Sequence, residues 1–500
     1  MERTADLEQQ LITALRMVAK LGDDLTAARG EIAVLARENA ELRRQLSKNS
    51  GNSGKPPSSD GLKKTSPKRR SLRSKSGKKS GGQVGHQGDT LRQTPTPDFV
   101  EHHEAERRGA CQGALTAAMA TGVEKRQVFD LPKPRLEVTE HQATRYCCAH
   151  CQSVTRAAFP EGVNAPVQYG PRVRAAATYY NVQQLVPEDR VCQILRDLHG
   201  AVSLCAASVT NWVNAAALTL GEVVEHIRSR LADGGVRHLD ETGFRVAGKL
   251  HWLHSVSSLA FTHYRVSARR GDVPAALSGG IIVHDHFKPY YAHMGAVEAH
   301  ALCGAHHLRE LKAIDEIEKE PWAKAMSDLL IDANRLKHEA RDRGEVGLLD
   351  AVLQSITVEY KAIIARGLAF HESQPPLAKN PAARGRRAKR PGHNLLIRLR
   401  DYQDDAPRFV ADFAVPFTNN QAEQDLRMMK VRMKISGSFR TLDGAQTFAA
   451  IRSVISTARK HALNILNTLT QPPDGIIARL QLAAKESPPP SRCLGVTLIV

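Results

Sequence analysis

The chain has 500 residues, a formal net charge of +18 and only 5% aromatic residues, with a pI near 9.7. That length accommodates several domains, the charge points to a polyanionic partner, and the scarcity of aromatics excludes a single-strand binder that works by base stacking. No apolar run approaches the roughly 18 residues of a membrane helix, the opening MERTADLEQQ lacks the apolar stretch of a secretion signal, and eight cysteines in a chain this long do not make a disulfide scaffold; the expectation is a cytoplasmic, nucleoid-associated protein with no membrane partner.

Residues 4–46 carry an unbroken heptad pattern. Position a reads Leu11, Val18, Leu25, Ile32, Asn39 and Leu46; position d reads Leu7, Ala14, Leu21, Ala28, Leu35 and Leu42. Leu at d with a single Asn at a favours a parallel two-stranded coiled coil, so self-association is expected here. Gly22 and Gly30 weaken it. Residues 47–98 then turn to Ser, Gly, Pro and Lys/Arg and hold too little apolar surface to fold alone. Lys63, Lys64, Arg69 and Arg70 belong to a run with no acid in it, read as a flexible linker and non-specific DNA arm.

Residues 99–165 suggest a small, degenerate zinc-ribbon-like module. Cys148 and Cys151 have C-x-x-C spacing, but only Cys111 lies upstream, and Arg108 stands where the matching pair would begin. Cys147, His102, His103 or His150 could complete a zinc site; the alternative is a fold held by packing alone. Residues 166–225 hold a helix-turn-helix pattern: PEDRVCQILRDLHG closes at Gly200, and SLCAASVTNWVNAAALTL follows with Ser203 as a cap and Val209, Trp212 and Val213 as its apolar face.

From residue 235 the period changes to two. VRHLDETGFRVAGKLHWLHSVSSLAFTHYRV reads as three antiparallel strands, followed by a short helix near 272–277 and a buried strand, GGIIVHDHF. Asp240 ends the first strand and Asp285 the fourth. Residues 301–414 have helical periodicity, opened by Cys303-x-x-His306, a pair that could bind metal but reads more simply as local structure; a basic loop, LAKNPAARGRRAKRPG, interrupts them. The stretch Asn420–Lys434 is a further helix with Asn419 or Asn420 as N-cap. Glu423 falls in its first turn, with Arg427 and Lys430 on the same face. Asp240, Asp285 and Glu423 can form one oxygen-ligand cluster for two Mg²⁺ ions about 3.5–4 Å apart. Residues 444–468 continue as a helix, and 470–500 read as a tail.

At HLDETGF, HDHFKPYY, CGAHHLREL and TNNQAEQDLRMMKVRMKISGSFRT the sequence resembles the DDE transposases of the insertion-sequence-sixty-six family. The resemblance implies an α+β chain whose ribonuclease-H-like mixed-sheet core, 230–300 and 415–468, is interrupted by a helical insertion at 301–414. It implies Asp240, Asp285 and Glu423 as the metal-binding catalytic triad, and Lys430 fits the basic position usual in this class; Arg427, on the same helix face, and Arg440 are further candidate DNA-binding residues. It also implies double-stranded DNA at element ends and target as partner, strand cleavage and transfer as reaction, and accessory proteins of the element. The alternative is a non-catalytic, dimeric DNA-binding protein.

Overall fold

The computed structural model describes residues 2–48, 52, 91–105, 107, 109–132, 134–201, 203–232, 234–273, 277–292, 296–377 and 387–486. The arm residues Lys63, Lys64, Arg69 and Arg70 lie outside these, as do 274–276 of the short helix expected near 272–277 and the chain after 486.

In chain order, helix α1 (Glu2–Ser47) precedes a hairpin of β1 (Arg145–Cys147) and β2 (Val154–Arg156). Helices α2 (Pro171–Thr178), α3 (Glu188–His199), α4 (Ala206–Thr219) and α5 (Gly221–Ala232) follow. Next come strands β3 (Val236–Val246), β4 (Lys249–Ser257), β5 (Thr262–Ser267) and β6 (Ile281–His284), helix α6 (Lys288–Ala292) and strand β7 (Ala299–Leu302). The remainder is helical: α7 (Gly304–Ala313), α8 (Pro321–Asp342), α9 (Asp350–Ser373), α10 (Pro391–Asp401), α11 (Arg408–Ala411), α12 (Asn420–Ser436), α13 (Leu442–Lys460), α14 (Ile465–Leu469) and α15 (Pro473–Glu486).

The chain divides into two compact units, one of residues 71–164 with 193–204, the other of the remainder. In the smaller unit β1 and β2 pair antiparallel, with Tyr146 opposite Thr155. Gly200, at φ +70°, closes α3 in the left-handed region, its N–H donating to Arg196 O at 2.9 Å. Ser203 does not serve as a cap: it sits at φ +59°, and the extended residue before α4 is Cys205. An N-cap side chain needs extended backbone, which Cys205 has and Ser203 lacks.

The larger unit is a mixed α/β body around a five-stranded sheet of order β5-β4-β3-β6-β7. The alternating stretch from Val236 builds three antiparallel strands, with Asp240 opposite Ser255 and Ser255 opposite Tyr264. β6 and β7 add in parallel on the far side of β3. The Val283 side chain of β6 joins Ala301, Leu302, Leu311, Trp322, Met326, Ile363, Leu396 and Phe417 in one buried cluster. The helices after β7 therefore share a core with the parallel half of the sheet. On the antiparallel half, α13 packs on β5 and α12 on β3 and β4. Residues 473–486, read from the sequence as part of the tail, form α15, which packs on α5 and buries Ile476 and Leu480.

Two backbones meet where β6 enters the sheet. Gly280 sits at φ +58°, and a Cβ there would press on Gly235 O and lie 2.6 Å from Gly235 N. Both the left-handed backbone and the close approach require glycine. Gly280→Ala is expected to lose about 2 kcal/mol or more of stability, read as a lower thermal midpoint; an unchanged midpoint would contradict this packing.

Candidate active site

β3 and β6 run parallel with His238 opposite Val283. Asp240 lies two residues past His238, and Asp285 two past Val283. Side chains two apart share a face of a strand. The register thus puts both aspartates at the same level, on the same face, just past the last β3–β6 pair; β6 ends at His284, but β3 runs on to Val246, so Asp240 lies inside its strand and not at the end expected from the sequence. Asp240 Oδ1 accepts from the Glu241 N–H at 2.8 Å, and Asp285 Oδ1 accepts from the Phe287 N–H at 3.1 Å. Burial holds the Asp240 carboxyl well above the usual carboxylate range, and the charges of Asp285, Glu241 and Glu423 push it further. Asp285 is raised as well, by burial and then by Glu241. Glu241 points to the opposite face, where Arg270 pairs with it at 2.7 Å and the Tyr290 hydroxyl donates to it.

Helix α12 brings the third acid. Asn419 stands at its N-cap position, yet its side chain caps nothing. Instead Nδ2 donates to Leu239 O at 2.7 Å, and Oδ1 lies 2.8 Å from His238 Nδ1. With Oδ1 only able to accept, the imidazole Nδ1 must carry the hydrogen. Burial pushes the His238 pKa down to about 4, so the ring is neutral. The far end of α12 is fastened to the same strand: the Phe439 N–H donates to Arg245 O at 2.9 Å, and Phe439 O accepts from the Ala247 N–H at 2.8 Å. Seventeen helical residues rise about 25 Å, close to the roughly 23 Å of extended chain from Leu239 to Val246. Mid-helix, Asp425 Oδ2 accepts from Ser257 at 2.6 Å and Thr262 at 3.3 Å and lies 3.8 Å from Lys460 Nζ. Those bonds tie α12 to β4, β5 and α13 and fix its rotation about its axis.

Glu423 then lies near enough to Asp240 for its charge to raise that carboxyl, and it faces the start of α7. Glu423 Oε1 lies 3.8 Å from His306 Nδ1 and 3.6 Å from the Arg309 guanidinium. Cys303, just before α7, is buried, and its sulfur accepts the Asn419 N–H at 3.2 Å. Burial and the Glu423 charge push its thiol up to about 11. Burial, then Arg309 and Arg398, push the His306 pKa down to about 3. Arg427, Lys430 and Arg440 are exposed and form no ion pair among the described residues. Cys111, Cys148 and Cys151 are exposed thiols of the smaller unit. The Cys151 thiol is pulled down to about 7 by hydrogen bonding to Ser153. Among the described residues the one three-residue group of closely spaced metal-ligating atoms is Cys303, His306 and Glu423, not the Cys148 knuckle.

Sequence reasoning did not anticipate the roles of His238, Asn419 and Asp425. The Thr-Asn-Asn run ahead of the helix was the available signal, and it pointed to capping.

Residues 166–447 match the family described as Transposase IS66 family, and residues 3–92 match a family of unknown function, DUF6444. The first match spans more than half of the chain, which therefore belongs to the IS66 family of transposases. No curated protein matches. No helix among the described residues is long and apolar enough to cross a membrane.

Two outcomes test this geometry. Asp240 has an ordinary pKa of 3.8 when unfolded and a raised one when folded. The folded state then binds the proton more tightly, so its contribution to stability is fully present below about pH 4 and is lost as pH rises through the folded value. In chelator, Asp240→Asn should raise the thermal midpoint at neutral pH, with the gain over wild type growing as pH rises above about 4; a lowered midpoint, or a pH-independent difference, would count against a buried carboxylate cluster. Asn419→Ala leaves His238 and Leu239 without partners and should cost about 2–4 kcal/mol in denaturant unfolding; a loss under about 0.5 kcal/mol would remove Asn419 as a fastener.

Proposed function

We propose that the chain is a DDE-type transposase that binds the terminal inverted repeats of an insertion sequence, cuts DNA strands there and joins the freed ends to target DNA. What supports this is the nearness of acids from distant parts of the chain: Asp240 is held well above its normal range by burial first, and then by the charges of Asp285, Glu241 and Glu423. Buried like charges are unfavourable unless a cation sits among them. The donors are all carboxylate oxygens, the set that suits Mg²⁺. Asp240, Asp285 and Glu423 would hold it. A pair of such ions, when bound, activates the attacking oxygen and neutralises the leaving one.

The chain's own residues supply the rest. The middle of β3, the end of β6 and the doubly fastened α12 hold the acids in place before DNA arrives, so positioning is already provided for. Arg427, Lys430 and Arg440 present exposed cations along and just beyond α12, suited to gripping backbone phosphates. No side chain need become covalently attached to DNA, because in-line phosphoryl transfer works by orientation and charge neutralisation. The mixed sheet with its parallel edge supports a ribonuclease-H-like core. Helices α3 and α4 are the candidate reader of the element ends. α1 leaves Leu11, Val18, Leu21, Leu25, Ile32, Leu35 and Leu42 exposed, which supports pairing with a second copy.

On a duplex carrying an element end, wild type should nick in Mg²⁺, while Asp240→Asn and Glu423→Gln lose at least about a hundredfold in rate and still bind the end. Cutting by either variant at the wild-type rate would dismiss the triad. Wild-type binding without cutting would favour the non-catalytic DNA-binding alternative. Lys430→Ala should weaken duplex binding uniformly across sequences and lower the salt slope by about one; an unchanged slope would place Lys430 away from the phosphates.

A further inference from the structure

We propose that Cys303, His306 and Glu423 form a site for a thiophilic divalent cation, zinc in chemical class, that shares its carboxylate with Asp240 and Asp285. The three donor atoms lie within 4.8 Å of one another, and His306 Nδ1 and Glu423 Oε1 are 3.8 Å apart. Tetrahedral zinc, with bonds of about 2.0–2.3 Å, spaces its donors about 3.3–3.7 Å apart. Side-chain shifts of about an ångström close the site.

Two of the donor atoms lack a hydrogen bond, although the Arg309 guanidinium stands 3.6 Å from Glu423 Oε1. His306 Nδ1 and Glu423 Oε1 are both buried and make no hydrogen bond. Buried polar atoms without partners are uncommon and call for an explanation. The local fold explains how the donors meet. Cys303 is the last extended residue before α7, and His306 is the third residue of that helix. The N-cap side chain and the third helical position are neighbours in space. The Asn419 N–H already donates to the Cys303 sulfur, an arrangement that favours the thiolate. The same residue fastens α12 to β3, so one side chain's backbone aligns the sulfur while its amide aligns the helix carrying Glu423.

The donor set selects the ion. Thiolate and imidazole suit zinc, whereas Mg²⁺ takes oxygen. Ligation converts the Cys303 thiol to thiolate and releases its proton to solvent. Three protein donors leave a fourth coordination position. Arg309 works against the cation. Its guanidinium, held by a 3.3 Å bond from Nε to Ala305 O, is the present counter-charge to Glu423. A cation bound to Glu423 meets Arg309 as a like charge, so losing that charge should tighten binding.

The site itself stands independently of the transposase chemistry; its consequence rests on the proposed function. A Glu423 carboxylate drawn to zinc is turned from Asp240 and Asp285, so zinc should compete with Mg²⁺.

The test uses the full chain with Cys148→Ser and Cys151→Ser, which removes the knuckle as a source of thiolate. Titration with Co²⁺ alone should give a near-ultraviolet thiolate-to-cobalt band that saturates at about one equivalent. The band should vanish in Cys303→Ser. It should weaken at least tenfold in affinity in His306→Ala, which alters a partly exposed side chain and guards against a Cys303 variant that fails to fold. Arg309→Gln should bind Co²⁺ more tightly. Absence of the band from the parent, or its survival in Cys303→Ser, overturns the site. In the nicking assay, zinc should inhibit and excess Mg²⁺ should relieve it; a cobalt band without zinc inhibition overturns the sharing of Glu423. Failure of the wild-type chain to nick in Mg²⁺ alone refutes the proposed function and leaves the cobalt result to stand by itself.

Discussion

Helix α12 is strapped lengthwise along β3, and the candidate site depends on that fastening. Asn419 holds one end to His238 and Leu239, and Phe439 holds the other to Arg245 and Ala247. Helix and strand match in length because 17 residues at helical rise cover nearly what seven extended steps cover. Asp425 then sets the rotation by bonding to β4 and β5 beneath it. With both ends and the rotation determined, Glu423 has little choice of direction. A helix held at one end only would let its carboxylate swing, and three acids spread over more than 180 residues of sequence would not act as one group.

The sheet contributes the other half of the constraint. Parallel pairing of β3 with β6 makes the level of Asp285 follow from that of Asp240, and the glycine backbone crossing at Gly235 and Gly280 sets where that pairing begins. The helices that separate Asp285 from Glu423 in sequence do not form a detached body. They bury Trp322, Met326, Ile363 and Leu396 against Val283 and Leu302, and so brace the parallel edge. The first of them, α7, starts directly behind β7 and delivers Cys303, His306 and Arg309 to the outer side of Glu423. Glu423 is thereby placed between an oxygen-only set and a mixed sulfur, nitrogen and cation set.

Much of this architecture is legible in the sequence, because it follows from local periodicity. Alternation from Val236 onward announces the antiparallel strands, and an apolar run followed by Asp285 announces β6. The helix around Glu423 follows from its pattern and its Asn-rich start. What was not legible depends on partners distant in the chain. Asn419 reads as a cap, since nothing near it reveals that its amide will find His238 across the fold. Nothing in the sequence around Asp425 singles it out, although three elements converge on it. Cys303 and His306 read as a local pair at a helix start; their nearness to Glu423 is a property of the folded chain alone. Ser203 reads as a cap by residue type, but its left-handed backbone moves the helix start to Ala206.

The most direct test of the convergence is localised backbone cutting by Fe²⁺ in place of Mg²⁺, with ascorbate and peroxide generating hydroxyl radicals at the bound ion. The account predicts cuts clustered at three separate segments, around Asp240, Asp285 and Glu423, all suppressed together by excess Mg²⁺. Cuts near Asp240 and Asp285 with none near Glu423, or cuts near Glu423 and Cys303 alone, would contradict it.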